Sequence, residues 1–285
     1  MRAPLSRVLR SRAILSRLPN HSLSPPCATL WLLDGSLVRG DDIAFFARQL
    51  GAGEAYRYAC FKRRERKRQF LLGRILLRFA VSSLVSSSPD RVGIVERTGA
   101  APQLVLPDYP SLQPRLSLSH SRDWVACVVS SSVGLGIDIE VKDPTRDVLS
   151  ISQLVFHPNE YLWLCAQPEV ARGAAFYSLW STREALYKLM SSLGGQTVLS
   201  SLVGADGRLA AQGPGWYRYT LPHSALMLAI CSDQPLSQLR KVELTKLTRA
   251  DWLVADRKFP AGTLDALSEQ SGHASRTRSH RDLVT

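Results

Sequence analysis

Two long stretches of helical periodicity, each followed by a group of short apolar strands, organise this chain. In the first, Phe70, Leu71, Arg74, Leu77 and Arg78 recur at helical spacing behind the basic run 62–68. They predict a long helix, basic at its start and apolar later. The second, from about 171 to 193, contains FYSLWSTREALYKLM and predicts another amphipathic helix. Strands are expected at 28–33, 91–96, 115–119, 124–130 and 136–141, then at 216–221, 225–231 and 242–247. Asp41 is placed to N-cap a helix running to about residue 50. Pro158 suits the first position of a helix containing Glu160 and Trp163. The two halves echo each other: His120-Ser121 and His223-Ser224 each precede a buried strand. The expectation is an α+β fold of two similar lobes related by a pseudo-twofold, each a small, mostly antiparallel sheet packed with a long helix. The lobes should span 28–132 and 133–257, between a disordered basic extension at 1–27 and a disordered tail at 258–285.

With 45% hydrophobic and 21% charged residues, the 285-residue chain has the composition of a folded protein. No apolar run approaches the roughly 18 residues that span a bilayer. The five cysteines, Cys27, Cys60, Cys127, Cys165 and Cys231, are scattered without a CxxC pair. They argue against a disulfide framework or a zinc site and for a reducing, cytoplasmic setting. The extension carries Arg2, Arg7, Arg10, Arg12 and Arg17 and no acid, so an organellar transit peptide is its alternative reading. A net charge of +12 attracts polyanions: nucleic acid, anionic lipid, phosphorylated small molecules or an acidic protein.

Two segments carry chemistry. In Gly136-Ile137-Asp138-Ile139-Glu140, the period of a strand sends the isoleucines to one face and the two carboxylates to the other. Such a pair suits Mg²⁺, which takes one or two carboxylates plus phosphate and water, and equally suits a half-exposed strand with two solvated acids. On the second long helix, Trp180, Glu184 and Lys188 fall on one face, which by itself also fits a surface ion pair.

The ordered set LSLSHS (116–121), GIDIE (136–140) and LWSTREALYKL (179–189) resembles the 4′-phosphopantetheinyl transferase family, in its larger, monomeric, surfactin-type branch. A basic helix with G-R-x-x-L-R (73–78) and an F-x-x-x-E segment (156–160) agree with that resemblance. The resemblance implies an enzyme, a holo-[acyl-carrier-protein] synthase, that moves the phosphopantetheine arm of coenzyme A onto a serine of an apo acyl or peptidyl carrier protein. It implies that Asp138, Glu140 and Glu184 hold Mg²⁺, that Glu184 is the catalytic base and that Lys188 stabilises the leaving adenosine 3′,5′-bisphosphate. Ser119 and His120 would meet the nucleotide's phosphate, with Arg68 and Arg74 as candidates for its 3′-phosphate. Two positions depart from the family pattern. Arg183 stands where lysine is common, and Ala101 stands where a base commonly precedes the proline. Two other readings compete: a nucleic-acid binder, from the basic run at 62–68, and an inactive scaffold of the same fold that binds carrier proteins. The set Asp138, Glu140 and Glu184 is unexplained by the first, and the presence of Lys188 with all three argues against the second.

Overall fold

Leu30, Trp31, Leu32 and Leu33 are all fully buried, so the strand they form, β1 (Cys27–Asp34), has apolar neighbours on both faces. In the computed structural model, which describes residues 25–97, 102–195 and 200–255, β1 is flanked on both edges. The expected tail, and the extension up to residue 24, lie outside the described residues, as does Ala101. Antiparallel to β1 runs β5 (Trp124–Ser130), which continues through a tight turn from β4 (Arg115–Ser121). On the other edge lies β10 (Gln238–Leu244), parallel to β1 from Cys27 opposite Gln238 to Leu33 opposite Leu244. The first sheet therefore has the order β10-β1-β5-β4.

The helix predicted behind the basic run is α3 (Arg64–Val85). Its residues Leu72, Ile75, Leu76 and Phe79 pack with Trp31, Leu33, Val125 and Cys127 of this sheet. Two short helices precede it, α1 (Gly40–Ala47) and α2 (Ala52–Cys60). Asp41 does not cap α1: Arg39 is the N-cap, and Asp41 falls in the first turn, where a carboxylate favours the positive end of the helix dipole. The strand expected at 91–96 shortens to β2 (Gly93–Val95), paired with β3 (Gln103–Val105).

The second sheet, of order β6-β9-β8-β7, comprises β6 (Leu135–Val141), β7 (Gln212–Gly213), β8 (Trp216–Thr220) and β9 (Leu226–Ser232). Helices α4 (Val148–Val155) and α5 (Pro158–Cys165) lead to the second long helix, α6 (Glu169–Ser192). Ala185, Leu186 and Leu189 of α6 pack on Ala229 and Cys231. Leu30, Leu32 and Val128 of the first sheet share one core with Ile137, Ile139, Leu228 and Ile230 of the second. This is the expected α+β architecture, with two four-stranded sheets each carrying a long helix beside the small β2–β3 pair, and among the described residues β1–β10 is the parallel pair beside otherwise antiparallel ones.

The last strand departs from expectation. It begins at Gln238 rather than 242 and joins the first lobe's sheet, not the second's. The short helix after it, α7 (Arg249–Leu253), also belongs to the first lobe: Trp252 packs its ring against Phe46 and Phe79 at 6.1 and 5.6 Å. β1 needs a second neighbour because it is buried on both faces, and β10 supplies it. Among the described residues, no helix is long and apolar enough to cross a membrane.

Candidate functional site

The alternation in GIDIE holds, with Ile137 and Ile139 fully buried on one face of β6. The opposite face is not open to water, because α6 lies across it. Asp138 is buried and Glu140 half-buried. A Cβ on Gly136 would stand 1.9 Å from the Ala185 carbonyl oxygen and 2.6 Å from the Leu189 nitrogen, so only glycine admits the helix this closely.

That approach delivers Lys188 to β6. Its ammonium donates to Asp138 Oδ1 at 2.9 Å, to the Ile137 carbonyl at 2.9 Å and to Ser119 Oγ at 3.2 Å. The local pair with Glu184 that helical spacing alone would favour gives way to an ion pair between two elements. Asp138 Oδ1 also accepts from Ser119 Oγ at 2.9 Å, while Oδ2 is buried without a hydrogen-bond partner. Glu184 lies near enough for the carboxylates to repel. Withdrawal from water, then Asp138, push its carboxyl above the ordinary range against the pull of Lys188. Glu140 is raised too, chiefly by withdrawal from water, although it accepts from Ser121 Oγ at 2.9 Å.

A cleft of ≈ 1330 Å³ opens beside this cluster, and Arg74, Ser119, His120, Asp138 and Lys188 are among its lining residues. A second cleft of ≈ 340 Å³ includes His120 and Glu140 in its wall. Glu184 and Arg68 line neither. Arg68 donates instead to the carbonyls of Gly35 and Val38, holding the turn after β1. Arg74 reaches the cleft, but its Nε and Nη2 donate to Glu96 Oε1 at 2.8 and 2.6 Å and its guanidinium stacks 4.7 Å from the Phe70 ring centre. Ser119 accepts from Lys188 and from the Ile139 N–H at 3.3 Å while giving its one proton to Asp138, so its hydroxyl is fully engaged.

Sequence reasoning passed over Arg66 and Gln69. Arg66 Nη1 lies 3.5 and 3.3 Å from the two ring nitrogens of His120 and donates to Gln69 Oε1 at 3.2 Å. The Gln69 amide donates to the Arg122 carbonyl at 2.7 Å, tying α3 to the β4–β5 turn. His120 borders the cleft with part of its ring exposed. Partial withdrawal from water, then the Arg66 charge, lower its pKa and favour the neutral ring. Helical spacing was the available signal, since residues 66, 69, 70, 73 and 74 form one stripe along α3 and all line the larger cleft.

The arginine that departs from the family pattern is also accounted for. Arg183 donates from Nε to Glu160 Oε2 at 2.9 Å and lies 2.6 Å from it through Nη2. Glu160, fully buried, caps α5 by accepting the His157 N–H and receives the Leu202 N–H at 2.7 Å. The fork of an arginine suits this bond better than a lysine would.

Comparison with known proteins bears on the same elements. The profile of the 4′-phosphopantetheinyl transferase superfamily matches residues 134–220, which include β6 and α6. The chain is similar to the 4′-phosphopantetheinyl transferase psf-1 of Bacillus pumilus, 30% identical over 196 residues that cover 65% of this chain and 77% of that protein. It is similar to the 4′-phosphopantetheinyl transferase HetI of Nostoc sp., 29% identical over 177 residues, covering 61% and 73% of the two chains. A shorter match, 36% identical over 72 residues, covers 25% of this chain and 29% of the 4′-phosphopantetheinyl transferase gsp of Aneurinibacillus migulanus. The chain therefore belongs to the 4′-phosphopantetheinyl transferase superfamily of enzymes.

Proposed function

We propose that this protein transfers the 4′-phosphopantetheine group of coenzyme A to a serine of an apo acyl or peptidyl carrier protein, with Mg²⁺, releasing adenosine 3′,5′-bisphosphate. The observation that carries this reading is Asp138, whose buried Oδ2 lacks a partner while Glu140 stands on the same strand and Glu184 close by. A buried carboxylate oxygen without a hydrogen bond fits a hard cation as its partner. Among the described residues no three His, Cys, Asp or Glu side chains stand close enough to hold a metal ion by themselves. That is compatible with Mg²⁺, which completes its shell with phosphate oxygens and water.

Asp138, Glu140 and Glu184 are the residues that would hold Mg²⁺, which when bound neutralises charge where the phosphoanhydride breaks. The carrier serine's oxygen bonds to the phosphorus bearing pantetheine. The P–O bond to the nucleotide breaks, and the nucleotide leaves with the electron pair. The serine's proton passes to Glu184 or to a water it holds. Lys188 supplies positive charge toward the departing nucleotide. Neutral His120 offers its single ring N–H, and Arg66 beside it a guanidinium, to the nucleotide's phosphates. Arg68 and Arg74 are better read as structural, since Nη2 of Arg68 holds two carbonyls and Nε and Nη2 of Arg74 hold Glu96.

The charge of +12 favours encounter with an acidic carrier, an attraction that weakens with salt. We place the enzyme in the cytoplasm as a monomer; its five free cysteines fit a reducing compartment. The test is the intact mass of an apo acyl carrier protein after incubation with this protein, coenzyme A and Mg²⁺. A gain of one phosphopantetheine that EDTA abolishes is expected. No gain across several carrier classes, with the protein folded, refutes the reading.

A further inference from the structure

β4 and β6 belong to different sheets, yet they lie side by side and are joined by side chains. Ser117 Oγ accepts the Ile137 N–H at 3.1 Å, Ser119 Oγ the Ile139 N–H at 3.3 Å and Ser121 Oγ the Val141 N–H at 3.0 Å. The serines alternate along β4, so the strand's period of two presents all three to the same edge of β6. Three hydroxyls thereby stand in for the backbone of a neighbouring strand.

Each hydroxyl still has its own proton. Ser119 gives it to Asp138 Oδ1 and Ser121 gives it to Glu140 Oε2, both at 2.9 Å. In each case the carboxylate belongs to the residue just before the N–H that the same serine accepts. At the corresponding place for Ser117 stands Gly136, which has no side chain to orient.

We propose that Ser119 and Ser121 are positioning residues, through which the first lobe sets the orientation of the carboxylates that the second lobe offers to the metal. This rests on the reading of Asp138 and Glu140 as Mg²⁺ ligands. Each serine satisfies one oxygen of its carboxylate and fixes the side-chain rotation, leaving the other oxygen for the cation. It follows that the proton of Ser119 serves Asp138 and not the nucleotide. Ser117, which makes the same backbone contact and faces no carboxylate, separates orientation from mere joining of the strands.

The experiment is Mn²⁺ binding to the full chain, followed by electron paramagnetic resonance, in the parent protein and in Ser117→Ala, Ser121→Ala and Ser121→Thr. Thermal melts on the same samples establish folding. Ser121→Ala should weaken Mn²⁺ about ten- to a hundredfold, the usual cost of losing a ligand's hydrogen-bond partner. Ser121→Thr, which keeps the hydroxyl, should restore binding, and Ser117→Ala should bind as the parent does while losing comparable thermal stability. Equal Mn²⁺ affinity in Ser117→Ala and Ser121→Ala, or no recovery with threonine, overturns the proposal. Failure of the parent protein to bind Mn²⁺, both alone and with coenzyme A present, overturns the metal reading itself, and the proposal with it.

Discussion

Lys188 gives its ammonium protons to Asp138, Ser119 and the Ile137 carbonyl, so one side chain joins α6 to both lobes' strands. Glu184, one helical turn earlier, is half-buried and has no such structural bond among the described residues. Glu184→Ala is therefore expected to cut turnover by about 10²–10⁴-fold, the range for a lost general base, with its melting temperature kept. A phosphopantetheinylation time course beside a thermal melt checks both. Arg68→Ala should do the opposite. Two hydrogen bonds from a charged donor are lost, costing about 3 kcal/mol, and the KM for coenzyme A should stay unchanged. Arg68 and Arg66 look alike in the basic run, and the resemblance singled out the former. On a helix of 3.6 residues per turn they point about 160° apart, and it is Arg66 that shares the cleft with His120. Asp138, Glu140, Glu184 and Lys188 were legible as a set because their motifs have characteristic order. The commitments of Arg74 to Glu96 and of Ser119 to Asp138 were not, since both depend on residues brought together from distant segments.

Between β6 and α6, the contact at Gly136 sets the depth of the whole site. Gly136→Ala must push α6 outward against backbone atoms, which should cost about 3 kcal/mol and displace Lys188 from Asp138. Urea unfolding reads the first effect and the activity assay the second. At the other long helix, Glu96 accepts from Arg74 and Arg57. Withdrawal from water pushes its carboxyl up, but the two arginines outweigh this and hold it below its ordinary 4.5. With the folded value below the unfolded one, its contribution is full above pH 4.5 and is lost as pH falls through the folded value. The urea midpoint of the parent protein should exceed that of Glu96→Gln at neutral pH, and the gap should close in acid. β5 was read from sequence with its observed bounds because its apolar run is unbroken. β10 was not, because its pairing with β1 leaves only a loose alternation in Leu239, Val242 and Leu244.

At the scale of the molecule, the +12 charge fits the proposed encounter with an acidic carrier and a phosphorylated substrate, and a salt-dependent rate of carrier modification would check it. The two-lobed plan was legible from the repeated order of helix and strands. Its closure by β10 and α7 was not, because the partner of a strand is not written in its own period. Trp252 secures that closure, packed on Phe46 and Phe79. Trp252→Ala should lower stability by about 3–5 kcal/mol, measurable by urea unfolding, while leaving the second sheet's contacts intact. The pairing of Cys27 with Gln238 also has a consequence for the order of events during synthesis on the ribosome. The second sheet and α6 lie within one continuous segment and can close as soon as β9 has emerged. The first lobe must keep β1 waiting, an apolar edge unpaired, until β10 arrives. The half of the protein made first is thus the half finished last, and it is where a nascent chain most needs protection from aggregation.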